Sequence, residues 1–141
     1  MVLSPTTVEE LRSAWTGVVQ MRERMKTIVV VTFAGGALTG STLRDVAYNL
    51  PLLLAFDVLK QALAEAANEK LFVCSPRATL GKLMDSGKDS LSWIDWENLR
   101  EGVRRRNAVA HDGVLVDGKQ CLQDIDSVEA QLFAWKILSA V

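Results

Sequence analysis

The sequence predicts an all-α protein, a four- to five-helix antiparallel bundle. Apolar residues recur three and four positions apart over long stretches, which is the pattern of amphipathic helices. Gly, Pro and Ser separate these stretches, so the links are short and neighbouring helices are expected to run antiparallel. The chain has 141 residues, 49% of them hydrophobic, a size that suits one domain with its own core. We therefore predict a single domain over residues 1–141.

The first helix is predicted to begin near Thr7. Thr7 and Glu10 have the spacing of a capping box, in which each side chain binds a free backbone amide of the first turn. The helix is expected to continue into the Ile-Val-Val-Val run at 28–31, where β-branched residues make a strand the alternative. The glycines at 35–40 predict a flexible connection rather than a phosphate-binding loop, since no lysine follows them at the required spacing.

The second helix is predicted over about 42–68, where apolar residues keep a helical spacing and the last turns are rich in alanine. Pro51 lies inside this pattern. Because proline lacks an amide hydrogen and clashes with the preceding turn, it should kink or divide the helix.

The second half of the chain predicts three more helices. A short helix over about 77–84 ends at a Ser-Gly pair, a longer one over about 93–110 ends at Asp-Gly, and a last one covers about 125–139. Before the last helix, 114–120 alternates weakly around another Asp-Gly pair, which predicts either a small hairpin or an irregular loop.

Charge and composition limit the classes of function. The net charge of -1 gives no general basic field, so any nucleic-acid site must be a local cluster. Cys74, Cys121 and a single histidine cannot supply the four ligands of a structural zinc site, so we predict reduced cysteines and neither metal nor cofactor. No apolar stretch approaches the roughly 20 residues that span a bilayer, and no signal-peptide pattern is present. We expect a soluble, cytoplasmic protein without membrane contact.

Polar residues at the end of the predicted fourth helix form the one cluster that suggests chemistry. On an ideal wheel of about 100° per residue, Asn107 falls on the apolar stripe of Trp96, Leu99, Val103 and Ala110. A buried amide is costly unless it is hydrogen-bonded, so Asn107 requires a partner. The wheel places Arg104 beside His111 on one flank. It places Arg106 on the other flank and points Arg105 toward solvent.

These residue types suit phosphodiester chemistry. Arginine binds phosphate through a planar fork of donors, histidine exchanges protons near neutral pH, and asparagine orients its neighbours. Together they could hold a phosphodiester and deprotonate the adjacent ribose 2′-hydroxyl, which is metal-independent RNA cleavage by general acid–base catalysis. A solvated arginine run with a histidine at the helix end, where cations suit the dipole, is the structural alternative.

The segment Arg106-Asn107-Ala108-Val109-Ala110-His111 resembles the Arg-x(4–6)-His motif of the HEPN superfamily. In that motif a polar residue often follows the arginine directly, as Asn107 does here. The predicted order of helices is also similar to that of HEPN domains: two long helices, a shorter element, the motif helix and a terminal helix. The resemblance implies a HEPN-like fold for the single domain.

The resemblance also implies an activity. Many HEPN proteins are metal-independent endoribonucleases of toxin–antitoxin, phage-defence or RNA-processing systems. By the motif, Arg106 would bind phosphate, His111 would act as general acid and base, and Asn107 would orient them. Arg104 and Arg105 also satisfy the permitted spacing and are expected to bind RNA.

The expected partners are RNA, a second copy of the chain and an antitoxin protein. HEPN proteins commonly form homodimers in which two motifs face one cleft. Arg106 and His111 lie about 140° apart on an ideal helix, so either two subunits complete one site or His111 turns back beyond the helix end. In one HEPN subgroup the antitoxin modifies a tyrosine two residues after the histidine, a position that Gly113 occupies here.

Other residues could join the site, each with a plainer role as the alternative. Asp45 and Asp57 could hold His111 or an arginine, but a surface or capping role is the commoner one for such residues. Trp93 and Trp96 could stack on bases, but indoles beside a helix start usually pack in the core. For the whole chain, the alternative to a nuclease is a non-catalytic helical module that binds RNA or a protein.

Overall fold

A computed structural model of the protein describes residues 1–26 and 45–139. Within these ranges the chain forms helices, turns and irregular links without a strand, which confirms the all-α prediction. The elements are α1 (Pro5–Lys26), α2 (Asn49–Asn68), α3 (Leu80–Ser86), α4 (Trp96–Asn107), a π-helical turn (Ala108–Asp112) and α5 (Gly118–Ala134). The predicted helix or strand at 28–31 and the glycine-rich connection at 35–40 lie outside the described residues.

The central element of the bundle is α2, which contacts the other four helices named here. Its sequence is apolar on several sides, and a helix of that kind is stable only when it is surrounded by protein. Its fully buried side chains are Leu52, Ala55, Phe56, Leu59, Ala62, Leu63 and Ala66. Helices α1 and α5 pack on α2, and α3 and α4 complete the core on its remaining sides.

Side-chain caps set where α1, α3 and α4 begin, and they correct three predicted boundaries. Helix α1 begins at Pro5 rather than near Thr7, because the Ser4 hydroxyl accepts the Thr7 amide at 3.2 Å. Thr79 accepts from the Lys82 amide and starts α3 later than predicted. Asp95 likewise accepts from an amide of the first turn and starts α4 after the predicted Trp93.

Pro51 divides the predicted second helix. Residues 45–47 form a helical turn, the helix is interrupted at Tyr48, and α2 begins at Asn49. Pro51 therefore lies in the first turn of α2, where a missing amide hydrogen leaves no hydrogen bond unmade. The start of the predicted helix, at 42–44, lies outside the described residues.

The hairpin alternative for 114–120 is wrong. Residues 114–117 form an irregular loop, and α5 begins at Gly118, well before the predicted start at 125. The reason is Asp117, whose carboxylate accepts the Gln120 amide at 2.9 Å and caps the helix. An Asp-Gly pair suits a hairpin turn and a helix start equally well, and the cap prevails here. Helix α5 also ends earlier than predicted, at Ala134.

None of the helices within residues 1–26 and 45–139 combines the length and the apolar character that crossing a bilayer requires.

Candidate functional site

A cleft of about 590 Å³ lies where α2, α3, α4 and the π-helical turn meet. Arg106, Asn107 and His111 all line it. The three residues of the predicted motif are thus brought together within one chain. Its volume falls in the range of small-ligand sites, about 300–1,000 Å³.

A glycine sets how closely the motif helix approaches the core. A Cβ atom added at Gly102 would lie 2.8 Å from Cζ of Phe56, so any larger residue would require the buried Phe56 ring or α4 itself to move. This close approach brings the end of α4 against the face of α2 that carries Asp57. The arginines that follow Gly102 therefore reach groups on α2 and α5.

The π-helical turn explains how Arg106 and His111 share the cleft. The Gly113 amide donates to the Ala108 carbonyl five residues earlier, so the turn is wider than an α-helical turn. A wider turn holds more residues, so it reduces the separation of about 140° that an ideal α-helix gives to residues five apart. Gly113 ends the turn in the left-handed conformation, with φ of 65°. The ideal wheel was wrong here because it assumed a regular helix to residue 111.

Two polar groups hold the Arg106 guanidinium at the cleft wall. Its Nη1 donates to Oδ1 of Asn107 at 3.1 Å, and its Nη2 donates to Oδ1 of Asp57 at 3.1 Å. The arginine side chain is 17% exposed and Asp57 is 57% exposed. The buried Nε of Arg106 has no hydrogen-bond partner among the described residues. Arg106 is thus oriented by its terminal nitrogens alone.

Asn107 has the partner that its half-buried position requires, since its amide oxygen accepts from Arg106. His111 is exposed at the cleft edge, and no described residue hydrogen-bonds to its ring. The ring is therefore accessible to a ligand in the cleft. Ala110, which the wheel placed on the buried stripe, is exposed because it belongs to the π-helical turn.

The other two arginines do not line the cleft. Arg104 is exposed and forms an ion pair with Glu101 one turn earlier, and it does not line the cleft that His111 lines. Its contact with RNA stays a prediction for the surface outside the cleft.

The predicted solvent orientation of Arg105 is wrong. Its guanidinium makes a two-pronged contact with Asp124 of α5, with Nε and Nη2 at 2.8 and 2.7 Å from the two carboxylate oxygens. Asp124 is 3% exposed and also accepts from the Gln120 amide group at 3.0 Å. The hydrogen bonds from Arg105 to Asp124 raise the pKa of the guanidinium, while burial acts in the opposite direction. The wheel missed this pair because a long side chain can bend back toward a buried carboxylate.

Three further cations, which the sequence did not indicate as site residues, line the cleft. They are Lys60 of α2, Lys82 of α3 and Arg100 of α4. Arg100 donates from Nε to Oδ1 of Asp85 at 3.0 Å. A Cβ atom at Gly81 would lie 3.0 Å from Nη2 of Arg100, so the glycine makes room for the guanidinium. No local pattern signals these residues, because three separate helices bring them together.

The acidic candidates have different outcomes. Asp57 does hold an arginine, namely Arg106. Asp45 has the capping role, since it accepts the Gly118 amide at 2.6 Å at the start of α5.

Both tryptophan candidates pack within the fold. Trp93 donates to the Gly87 carbonyl and makes an edge contact with Trp135, with ring centroids 4.9 Å apart. Trp96 donates to the Met84 carbonyl, and the Lys88 ammonium lies 4.3 Å from its ring centroid. Neither lines the cleft.

The cleft combines anion binding with proton transfer. Its cations can bind phosphate, carboxylate or sulfate groups, and His111 can exchange a proton with a bound ligand. Among residues 1–26 and 45–139, no three His, Cys, Asp or Glu side chains are grouped so that they could hold a metal ion. No protein family, curated protein or solved structure matches the chain.

Proposed function

We propose that the protein is a HEPN-type, metal-independent endoribonuclease of the cytoplasm, the toxin or effector of a toxin–antitoxin or defence system. The observation that carries the proposal is that Arg106, Asn107 and His111 line one cleft. A motif of the form Arg-x(4–6)-His has catalytic meaning only if its two ends reach the same substrate. The π-helical turn supports this, since such turns often occur at functional sites.

The residues of the cleft suit attack by the 2′-hydroxyl of RNA on its neighbouring phosphorus. His111 takes the proton of the 2′-hydroxyl while the 2′-oxygen forms a bond to phosphorus. Arg106 stabilises the extra negative charge on the phosphate oxygens, and Asn107 keeps its guanidinium in place. The bond from phosphorus to the 5′-oxygen breaks, and that oxygen leaves with the proton that His111 has taken from the 2′-hydroxyl. The products are a 2′,3′-cyclic phosphate and a 5′-hydroxyl.

A homodimer belongs to the proposal, with the partner's motif facing the same RNA. Apolar side chains are exposed on α2 and on the loop after the π-helical turn: Leu50, Leu54, Val114 and Leu115. Asn49 ties the two segments together, because its side chain donates to the Val116 carbonyl at 2.8 Å and accepts the Val116 amide at 3.0 Å. Exposed apolar groups on two adjoining segments favour contact with another protein surface, either a second copy or an antitoxin.

The deciding experiment is RNA cleavage by the purified chain in EDTA, compared with His111→Ala and Arg106→Ala. The parent is expected to cut and to leave 2′,3′-cyclic phosphate ends. We expect each variant to lose at least about a hundredfold in rate, because general acid–base and charge-stabilising groups each contribute about that much or more. Circular dichroism and light scattering on the same samples check that fold and oligomeric state are unchanged.

Arg104→Ala is the matched control, since Arg104 belongs to the same arginine run and lies outside the cleft. It is expected to keep the parent kcat and to change only RNA affinity. Equal loss in Arg104→Ala and Arg106→Ala would show that the phosphate-binding arginine is misassigned. Cutting by His111→Ala at the parent rate would remove His111 from the mechanism.

The second candidate function is a non-catalytic module that binds RNA or a protein. The observation that favours it is the state of Arg106, whose terminal nitrogens already contact Asp57 and Asn107. In addition, no described carboxylate orients the His111 ring. If this function is the right one, the folded parent binds RNA or a partner protein, and neither the parent nor the variants cut.

A further inference from the structure

The cleft has a local excess of positive charge in a chain whose net charge is -1. Arg100 and Arg106 are each paired with a carboxylate, Asp85 and Asp57 respectively. The other two cations that line the cleft, Lys60 and Lys82, have no ion pair among the described residues. Asp85 also lines the cleft and is paired with Arg100, so the cations in excess are the two lysines. Their field is concentrated inside the concave site and attracts anionic ligands.

The two lysines lie apart from the catalytic motif in the chain. Lys60 is on α2, one turn after Asp57, and Lys82 is on α3, whereas Arg106 and His111 belong to α4 and the π-helical turn. The backbone at Lys82 is held in place, because its amide donates to the Thr79 hydroxyl at 3.3 Å. Both lysines line the same cleft as His111, from walls that the motif does not provide.

We propose that Lys60 and Lys82 bind a second phosphate group, next to the one that contacts Arg106 and His111. The inference rests on the proposed function and identifies its substrate as a polynucleotide that places two phosphates in the cleft, not a mononucleotide. Lysine suits this role, since its ammonium binds phosphate as a mobile point charge without requiring one fixed geometry. A second phosphate subsite anchors the chain of the RNA on one side of the bond to be cut.

The lysines are positioning residues and not catalytic ones, because they contact a phosphate at which no bond breaks. Their loss is therefore expected to raise KM and to leave kcat close to that of the parent. If the lysines had only a structural role, their loss would instead lower the stability of the fold. We do not expect this, because neither lysine side chain makes a hydrogen bond or an ion pair within the part of the chain that the structure describes.

The test measures RNA binding as a function of salt, with His111→Ala as the parent so that the RNA stays intact. A labelled single-stranded hexanucleotide is titrated with this protein and with the same protein carrying Lys60→Gln, Lys82→Gln or both. Loss of both lysines should reduce the slope of log K against log salt by about 0.7, because one phosphate is no longer neutralised, and each single change should reduce it by part of that amount. A nucleoside monophosphate, which cannot occupy both phosphate subsites at once, is expected to lose less affinity in the double variant than the hexanucleotide does.

Lys119→Gln is the matched control, because Lys119 is an exposed lysine of α5 that does not line this cleft. It should keep the parent slope. An unchanged slope in the double variant, an equal reduction with Lys119→Gln, or no RNA binding at all would overturn the inference. The two proposals fail separately. A reduced slope without any cleavage by the wild-type chain rejects the nuclease alone, and cleavage with an unchanged slope rejects the second phosphate subsite alone.

Discussion

The adjacent arginines Arg105 and Arg106 each pair with a carboxylate, but the two pairs differ in burial and therefore in how easily a ligand can replace the carboxylate. The pair of Arg106 with Asp57 lies at the cleft, and its carboxylate is more than half exposed. Such a pair contributes no more than about 1 kcal/mol, so an incoming phosphate can displace or share the carboxylate. Arg105 instead contacts a carboxylate that is 3% exposed. Breaking that pair leaves a buried charge, which is far more costly.

Arg105→Ala is therefore expected to reduce stability and not to act through RNA contacts. Removing the guanidinium leaves Asp124 with only Gln120 as a side-chain partner among the described residues, which should lower the free energy of unfolding by about 3 kcal/mol. Urea unfolding by circular dichroism measures this value. Arg104→Ala removes an exposed arginine one position earlier and should change it by less than about 0.5 kcal/mol.

The double variant Arg105→Ala, Asp124→Asn separates the buried charge from the loss of packing. It should recover more than about 1 kcal/mol of the stability lost in Arg105→Ala, since no unpaired carboxylate remains. Equal instability of the single and double variants would mean that the ion pair does not account for the effect.

At the scale of elements, the sequence predicted the helices of the described region and misplaced most of their ends. Periodicity identifies a helix because the buried face repeats every three to four residues. The ends depend on capping residues, and the sequence often offers two nearby residues or turn types that could each end or begin the helix. Ser4 prevailed over Thr7, and Asp117 capped α5 where a turn was equally compatible with the sequence. The π-helical turn left no periodic signal, because it depends on a shift in backbone hydrogen bonding and not on the spacing of apolar residues.

That turn depends on Gly113, and a substitution there should affect the site more than the fold. A Cβ atom at Gly113 meets nothing within 4 Å, so Gly113→Ala is penalised only through its φ of 65°, by about 1–2 kcal/mol. The turn can relieve this strain by moving His111. We expect cleavage at a temperature well below the unfolding midpoint to fall by more than about tenfold.

Gly17→Ala is the matched control for this prediction, because Gly17 also has nothing within 4 Å of an added Cβ atom and lies inside α1. There alanine should stabilise the helix by about 0.5–1 kcal/mol and leave cleavage unchanged. Gly113→Asn should restore part of the activity, since asparagine tolerates the left-handed region. Full activity of Gly113→Ala would show that the conformation of the turn does not position His111.

At the scale of the whole molecule, the sequence indicated only some of the residues that line the candidate site. Arg106, Asn107 and His111 are close in the chain, and their spacing pointed to them. Lys60 and Lys82 come from two other helices, and a net charge of -1 gives no sign of a local positive cleft. Tertiary packing around α2 creates that half of the site, and packing of this kind leaves no local motif.

Cys121 is a fully buried residue of α5, and the pH dependence of stability that its thiol causes reports on the packing of α5 against α2. Burial, and after it the nearby carboxylate of Asp124, raise the pKa of the Cys121 thiol from its ordinary 9.0 to about 12. Well below pH 9 the thiol is protonated in both the folded and the unfolded chain and contributes nothing to the pH dependence of stability. Between pH 9 and 12 only the unfolded chain loses the proton, so the folded state is progressively disfavoured.

The free energy of unfolding should therefore fall between pH 8 and pH 10 by about 1.4 kcal/mol through Cys121 alone. Urea unfolding at the two pH values, with a reductant present, measures the total decline in the parent and in Cys121→Ala. The variant is less stable at both values because it leaves a cavity, but its decline should be smaller than that of the parent by this amount. Cys74→Ala keeps the buried thiol and should decline like the parent. An equal decline in the parent and in Cys121→Ala would contradict this prediction. It would mean that water, or an ionised thiolate, is tolerated beside α5, in the part of the core next to Asp124 and Arg105.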